Sequence, residues 1–273
     1  MTMHTLKKEV HDLREDYNEN GVVVIKNVLN NYWLEVLQEA IEIQVQEKKR
    51  YFDNRNMRMQ SGGFRDFCLN SGIGKIVAEL ANSRRTSLVF DQMFVKEVGT
   101  KTRTGWHTDQ PYWPIDGPIM TTWIALDHVD DENGALEFIP GSHNWGKKYH
   151  PFLTDQLGAF VKYIKPDDPQ YDEMPDFETN RDKYEIKSWS LDPGDMLAFD
   201  GFIAHSAKGN QTATRRRRGY AVRFATDGAT YDPSQGVADW LKDDTLEPGD
   251  PFESEKFPLV YSKSQFNMSR YSF

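Results

Sequence analysis

The sequence predicts a mainly β protein, a double-stranded β-helix (jelly roll) core with N-terminal helices packed on it. Short β-like segments separated by turn residues follow one another from about residue 86, whereas an amphipathic helix lies before them. The length of 273 residues suits a single domain, because all-β barrels of this size commonly form one unit. We expect a helical part over about 1–85, a jelly-roll core over about 86–228 and an irregular cover over about 229–273.

The first expected elements are a strand and a helix. After a charged stretch, the β-branched run 21–25 predicts a strand. A helix follows, because apolar residues recur with the i, i+3, i+4 spacing from Trp33 to Val45. Asn30 or Asn31 is the expected N-cap. The apolar stripe indicates a surface that faces the core and not a cofactor.

The strands of the core are runs of apolar and β-branched residues bounded by turn residues. They are predicted at 87–98, 120–129, 135–139, 188–191, 196–199 and 219–224. The segments 165–184 and 231–273 do not fit this pattern, since they mix proline, charge and scattered aromatic residues. We expect them to be long surface excursions, which are functional lids, packed irregular cover or disordered stretches.

Composition and charge exclude several classes of partner. The net charge of −9 argues against nucleic acid, which requires clustered cations on a broad surface. Cys68 is the only cysteine, so an internal disulfide framework is excluded. The N-terminus has no apolar signal core, and no segment has the length needed to cross a bilayer. We expect a cytoplasmic enzyme that acts on a small molecule, without a nucleic-acid or membrane partner.

Three residues form a candidate metal site. His107 and Asp109 are two positions apart, and residues i and i+2 of a strand point to the same side. His205 follows almost a hundred residues later, after the turn 193–195 and a short apolar strand. Two imidazoles and one carboxylate hold non-haem Fe(II) on one face and leave the other positions open for oxygen chemistry.

Two other histidines were weighed against this site. His128 and Asp130 form a second His-x-Asp pair, but an acidic turn at 131–134 follows, which indicates a solvated strand end. His143 is the rival third ligand, although its position after Pro-Gly-Ser favours an ordinary loop histidine. A bare His-x-Asp occurs often by chance, so the assignment to His107 depends on its surroundings.

A run of four arginines, 215–218, follows His205 by ten residues. In an isolated sequence such a run usually forms a solvated basic patch. Here a turn at 209–212 precedes it, and the strand-like segment 220–224 follows it. One arginine of the run is therefore able to lie beside His205 on a neighbouring antiparallel strand.

Together these residues resemble the phytanoyl-CoA dioxygenase family of Fe(II)- and 2-oxoglutarate-dependent oxygenases. The resemblance covers most of the chain and rests on the runs 20–28, 106–110, 123–127, 133–136 and 139–143, followed by Pro193-Gly194-Asp195, Asn210 and Arg216 at the distances that the family uses.

This resemblance implies that His107, Asp109 and His205 are the iron ligands. It also implies that Arg216 binds the far carboxylate of 2-oxoglutarate, with Arg218 as the alternative. A guanidinium suits this role, because its planar fork matches a carboxylate and keeps its charge when desolvated.

Further contacts to the co-substrate are implied at Gln92, Thr108 and Trp123. Family members often have a small hydroxyl residue two positions after the distal histidine, where this chain has Ala207; Ser206 is the candidate in its place. With Arg216 directed inward, strand alternation would direct Arg215 and Arg217 outward.

The implied chemistry needs Fe(II), 2-oxoglutarate and O2, and it hydroxylates a C–H bond with release of succinate and CO2. Two alternatives remain: a cupin-like metalloprotein with non-oxidative chemistry, and a catalytically silent binding protein on the same barrel. A buried carboxylate receptor argues against the first, and an intact ligand set argues against the second. Asp109 also argues against halogenation, because related halogenases have a small residue in place of the carboxylate ligand.

The substrate contacts are predicted from residues near the metal motif. The polar segment 101–105 places Arg103 where it would meet an anionic group. Aromatic residues would line the apolar part of the site. These residues are Phe94, Tyr112, Trp113 and Phe199. The family does not define the substrate, since its members act on many kinds of small molecule.

Overall fold

The computed structural model describes residues 12–47, 54–154, 160–236 and 238–263. Parts of the predicted N-terminal region and of the C-terminal cover lie outside these ranges. The α-helices in the described residues are α1 (Arg14–Asn20), α2 (Asn31–Gln46), α3 (Gly62–Asn70) and α4 (Ile73–Leu80). No described helix is long and apolar enough to span a membrane.

The strands begin within the helical part and then dominate the chain. They are β1 (Val22–Ile25), β2 (Arg85–Lys96), β3 (Thr104–His107), β4 (Ile115–Asp116), β5 (Ile119–Ala125), β6 (Leu136–Phe138), β7 (Phe152–Thr154), β8 (Phe160–Tyr163), β9 (Lys187–Ser188), β10 (Met196–Asp200), β11 (His205–Ala207), β12 (Arg217–Thr226), β13 (Thr230–Tyr231) and β14 (Leu259–Ser262). The major sheet has the order β1-β10-β5-β12-β2-β14, and the minor sheet has the order β3-β11-β6-β9.

The two sheets face each other across one apolar cluster. Trp123 and Ala221 of the major sheet share this cluster with Leu136 and Phe138 of the minor sheet. The opposite face of the major sheet packs against the helices, and it buries a second and larger cluster. Both faces of the major sheet are therefore buried. This arrangement is the predicted mainly β jelly roll with N-terminal helices on it.

Most predicted elements are confirmed with small shifts of their ends. The strand at 21–25 is β1, and the amphipathic helix is α2. Asn30 is its N-cap, because its side-chain oxygen accepts a hydrogen bond from Trp33 N at 2.9 Å. The predicted strand 120–129 ends at Ala125, and the strand 188–191 is replaced by the short β9. The ends of these two segments still meet, since Val129 and Leu191 form an isolated bridge.

The two predicted surface excursions have different roles. Within 165–184, Phe177 is fully buried against Ile139 and Ala204, so this segment packs beside the minor sheet as irregular cover. The described part of the C-terminal segment adds the edge strand β14, which pairs with β2. It also buries Phe257 and places Trp240 at the wall of the cavity described below.

A buried carboxylate ties the cover of the minor sheet to its strands. Glu137 of β6 is 1% exposed and accepts hydrogen bonds from Arg103 and Arg181, both at 2.5 Å. Burial would raise the pKa of Glu137, but the hydrogen bonds and charges of Arg181 and Arg103 outweigh it and lower the pKa. The carboxylate therefore stabilises the fold most strongly when it is ionised.

We expect Glu137→Gln to lower the free energy of unfolding by about 2 kcal/mol at neutral pH, because it removes the charge that both guanidiniums face. The folded pKa lies below the unfolded one, so the contribution is complete above about pH 5 and fades as the pH falls further. Urea unfolding at several pH values measures this. Glu178→Gln is the control, because Glu178 meets the same arginines from an exposed position. An equal loss in both variants, or a loss independent of pH, would contradict the interpretation.

Candidate active site

The three predicted metal ligands lie together between the sheets. His107 at the end of β3 and His205 at the start of β11 are cross-strand partners. The two Nε2 atoms lie 3.7 and 3.9 Å from Oδ1 of Asp109, which follows β3. Within the described residues, this group is the cluster of histidine, cysteine and acidic side chains close enough to share a metal ion. His205 and Asp109 are buried, and His107 is half-buried.

Backbone carbonyls set the orientation of both imidazoles. Nδ1 of His107 lies 2.8 Å from Gly105 O, and Nδ1 of His205 lies 3.1 Å from Ile203 O. A carbonyl only accepts, so each Nδ1 donates a hydrogen, and Nε2 is the ring nitrogen that each histidine directs towards Asp109. Burial, followed by the neighbouring His107, lowers the pKa of His205 to about 3. The imidazole is therefore neutral, as a metal ligand must be.

The carboxylate of Asp109 is held through its other oxygen. Thr121 donates its hydroxyl hydrogen to Oδ2 at 2.8 Å, and Nε of Arg223 lies 3.8 Å from the same oxygen. Burial alone would raise the pKa of Asp109, but Arg223, both histidines and Thr121 outweigh it and lower the pKa. The site thus combines an ionised carboxylate with two imidazoles, a donor set that fits a divalent transition metal.

The metal cluster opens into a cavity of about 250 Å³. Its walls are mainly apolar, and they include the four predicted substrate contacts, Phe94, Tyr112, Trp113 and Phe199. The other aromatic rings of the wall are those of Phe90, Trp123, Phe152 and Trp240. A small concave site with apolar walls and a few polar groups is typical of a small-molecule site.

The predicted co-substrate residues divide into two groups. Gln92 and Trp123 line the cavity. Thr108 is buried but does not belong to the lining, and Ser206 faces away, with its Oγ 3.4 Å from Glu137. The prediction for Ser206 is therefore corrected. Strand alternation places His205 and Ala207 on the inner face of β11 and Ser206 on its outer face.

The prediction for the arginine run is also corrected. Arg216 forms ion pairs with Glu42 and Glu97, and the alternative, Arg218, forms ion pairs with Asp127 and Glu42. Both side chains lie outside the cavity. Neither arginine is placed to receive a carboxylate there.

Arg217, which was expected to point outward, is the arginine of the run that turns inward. It is 1% exposed, and its guanidinium lies over the ring of Trp123 at 5.4 Å. Its cross-strand partner is Lys96. Burial, followed by the charges of Arg217 and Arg103, lowers the pKa of Lys96 to about 7. Two basic side chains, Arg217 and Lys96, therefore lie close together at this end of the barrel.

Three further predictions have clear outcomes. Arg103 meets Glu137 and Glu178 on the outer face of the minor sheet, so its predicted contact with substrate is corrected. His128 is exposed beside Asp130 and Asp192, which confirms it as a surface residue. His143 Nε2 lies 3.2 Å from Asn18 O, and the residue is not part of the metal cluster.

Several site residues escaped the sequence analysis. Arg55 and Arg223 line the cavity, and Thr121 positions Asp109. Arg223 had a usable signal, because it is a single charged residue in the otherwise apolar end of β12. Arg55 had none, since it lies in an irregular segment.

A jelly roll that presents two histidines and an ionised aspartate to a cavity with aromatic walls fits the class of non-haem iron oxygenases. Comparison with known proteins agrees. The family model for phytanoyl-CoA dioxygenase (PhyH) matches residues 17–219. The chain therefore belongs to the phytanoyl-CoA dioxygenase family, and it is an enzyme of the 2-oxoglutarate-dependent non-haem iron oxygenases.

Individual relatives are distant. The peroxisomal phytanoyl-CoA dioxygenase of Mus musculus is 24% identical over 243 residues, which cover 78% of this chain and 68% of the relative. The non-heme alpha ketoglutarate dependent carbocyclase SnoK from nogalamycin biosynthesis has a TM-score of 0.72 and 24% identity, with 95% of this chain and 98% of that chain covered. The epimerase SnoN, solved with Fe3+, alpha ketoglutarate and nogalamycin RO, has a TM-score of 0.71 and 22% identity, with 93% and 99% covered.

Proposed function

We propose that this protein is an Fe(II)- and 2-oxoglutarate-dependent dioxygenase that hydroxylates a C–H bond of a small molecule. The single observation that supports it most is the cluster of His107, Asp109 and His205 at a cavity with aromatic walls. Iron with 2-oxoglutarate and O2 supplies the oxidation of the C–H bond and releases succinate and CO2.

The chain's own residues would hold the iron in a fixed geometry. The Nε2 atoms of His107 and His205 and Oδ1 of Asp109 are the donors. Thr121 and Arg223 engage Oδ2, so they favour binding of the metal through a single carboxylate oxygen. Three protein donors would leave positions for the co-substrate and for oxygen.

Arg217 is the proposed receptor for the far carboxylate of 2-oxoglutarate. It is buried on the inner face of β12 and lies over Trp123, which lines the cavity. Lys96 is its cross-strand partner on β2. A guanidinium stays charged in such surroundings and offers two parallel donors to a carboxylate. Gln92 and Trp123 would form the wall along which the co-substrate lies.

Exclusion of water would depend on the aromatic wall beside the metal ligands. The hydroxyl of Tyr112 donates to Phe152 O at 3.1 Å and accepts from Phe152 N at 2.9 Å. These two hydrogen bonds hold β7 against the cavity, with the Phe152 ring 5.9 Å from the His107 ring. A dry site strengthens the polar interactions within it and protects reactive species from side reactions.

The test is a screen of small molecules for stimulated succinate formation, with isotopically labelled oxygen gas. Hydroxylation places label in the product, whereas unlabelled product would favour the epimerase or carbocyclase types of reaction named for SnoN and SnoK. A cupin-like protein with non-oxidative chemistry would bind the metal but would not bind 2-oxoglutarate. A silent binding protein would bind 2-oxoglutarate and form no succinate in any condition.

We expect no halogenated product when turnover is run in high chloride or bromide. Asp109 occupies the position that a halide would need, and its negative charge disfavours a second anion nearby. Mass spectrometry of the product measures this outcome. Incorporation of chlorine or bromine by the parent enzyme would refute it.

A further inference from the structure

We propose that Trp240 limits the size of the substrate, and that the part of the substrate that enters the site is a single apolar ring or a group of that size. The inference rests on the proposed function and extends it to the class of substrate. Trp240 belongs to the C-terminal cover, and together with Ala238 it lines the cavity that contains the metal ligands. Neither residue belongs to the metal cluster, so we assign them to the recognition of substrate.

The segment that carries Trp240 is bound to the segment that follows the metal-ligand motif. The short strand β13 pairs with β4. Beyond this pair, the backbone N–H of Asp232 donates to Pro114 O, and that of Ala238 donates to Tyr112 O, both at 3.0 Å. These contacts run antiparallel along residues 116 to 112 and fix the position of Trp240 relative to the metal ligands.

Gly236 allows the two segments to approach closely. Its φ of +74° lies in the left-handed region that favours glycine. A Cβ atom at this position would lie 2.4 Å from the carbonyl carbon of Trp113. Any other residue would push the cover away from the cavity wall, so the position of Trp240 depends on this glycine.

The side chain of Trp240 packs against other residues of the cavity lining. Its ring meets that of Phe90 edge-on, with ring centres 5.1 Å apart and planes at 89°. Phe90 meets Trp113 in the same manner, at 5.4 Å and 79°. The Cζ atom of Arg55 lies 4.7 Å from the ring centre of Trp240. The indole is therefore part of a continuous packed wall and has little room to move aside for a large ligand.

The volume of the cavity limits the size of what it accepts. The cavity of about 250 Å³ would have to hold 2-oxoglutarate as well as the reacting part of the substrate. Small-molecule sites commonly have about 300–1,000 Å³, and a cavity of about 150 Å³ is enough for one benzene ring. Once the co-substrate is bound, the remaining space therefore suits a single ring of that size.

The lining favours a group without charge. Phe152, Leu153 and Ile164 add apolar surface from the region of the β7–β8 hairpin. Two polar side chains of the lining already serve the metal cluster, since Thr121 and Arg223 engage Asp109. An apolar ring removes little water from polar groups when it enters such a site, whereas a charged group would lose hydration.

The experiment is a titration of the protein loaded with Ni(II) and 2-oxoglutarate, which does not turn over, followed by NMR of the probe. The probes are benzyl alcohol, with one ring, and 2-naphthalenemethanol, with two fused rings. We expect the parent to bind benzyl alcohol about tenfold or more tightly, because a second ring overpacks the cavity. Binding to an unspecific apolar surface would give the opposite order, since the larger probe has more apolar area.

The variant Trp240→Ala should reverse this order. Removal of the indole makes room for the second ring, and its burial then adds affinity, so we expect about tenfold tighter binding of 2-naphthalenemethanol. Trp240→Phe keeps a ring beside Phe90 and should give an intermediate ratio. Trp145→Ala is the control, because Trp145 is exposed and lies outside the cavity lining, so the order of the parent should persist. Each variant should keep its affinity for 2-oxoglutarate within about twofold.

Three results would overturn the inference: a parent that prefers the two-ring probe, a parent that binds neither probe, or an order that persists in Trp240→Ala. A large loss of 2-oxoglutarate binding in Trp240→Ala would also overturn it, because Trp240 would then act through the co-substrate. These failures leave the proposed function intact as long as Ni(II) and 2-oxoglutarate bind. A parent that takes up neither of them would refute the proposed function, and with it the division of the cavity between co-substrate and substrate.

Discussion

Arg217→Ala is expected to weaken 2-oxoglutarate binding by about thirtyfold or more, whereas Arg216→Ala should leave it within about twofold of the parent. Loss of a buried, charge-assisted carboxylate contact costs about 2–5 kcal/mol, and each 1.4 kcal/mol is about a factor of ten. Arg216 forms ion pairs outside the cavity with Glu42 and Glu97, so its removal spares the site. Titration of the metal-loaded proteins with 2-oxoglutarate gives both affinities.

The variant Arg217→Lys distinguishes the contribution of the two parallel hydrogen-bond donors from that of the positive charge. Lysine keeps the positive charge but loses the two parallel donors, so we expect an affinity between those of the parent and Arg217→Ala. Circular dichroism establishes that each variant is folded. If Arg216→Ala failed to bind 2-oxoglutarate and Arg217→Ala still bound it, the assignment of the carboxylate receptor to Arg217 would be wrong.

The second large effect concerns the metal. His107→Ala and His205→Ala should each weaken Fe(II) binding by more than about a hundredfold, because even residues that only orient a ligand contribute ten- to hundredfold. His128→Ala is the matched control, since His128 belongs to the other His-x-Asp pair and lies exposed beside Asp130. Metal analysis after dialysis measures retention. Equal retention of iron by His107→Ala and His128→Ala would contradict the assignment of His107 as a metal ligand.

The metal ligands were predictable because the relevant information is local. His107 and Asp109 are two residues apart and direct their side chains to one point, although Asp109 lies just beyond β3 in a helical backbone conformation and not on the strand that the spacing predicted. His205 follows an apolar strand that the turn 193–195 introduces. The acidic turn after His128 was enough to separate the two His-x-Asp pairs. The amphipathic helix was equally accessible, because α2 has one buried face and a clear N-cap at Asn30.

The inward arginine was not predictable from alternation alone. Tyr220, Val222 and Phe224 pack towards the helices, and Ala221 and Arg223 face the cavity, so both faces of β12 are buried. A strand buried on both faces does not reveal which face lines the site. The spacing of the family from His205 implied Arg216, but the inner face of β12 carries Arg217, Ala221 and Arg223.

The cavity wall came from parts of the chain that have no periodic pattern. Arg55, Phe152 and Trp240 reach the site from an irregular segment, a short hairpin and the C-terminal cover. Their meeting depends on long-range packing, which a single sequence does not encode in any local spacing. The role of the segment 165–184 was unpredictable for the same reason. It depends on the packing of Phe177 against Ile139 and Ala204, which are distant in the sequence.

The hydrogen bonds from His107 to Gly105 and from His205 to Ile203 share one property: each joins an imidazole to the carbonyl two residues earlier in its own segment. The rotamer of each ligand is therefore fixed when its own short stretch of backbone forms. Arrival of the metal then freezes few side-chain torsions, so the entropy loss on loading is small. The rate of loading should consequently depend on passage through the aromatic cavity and not on reorientation of the rings.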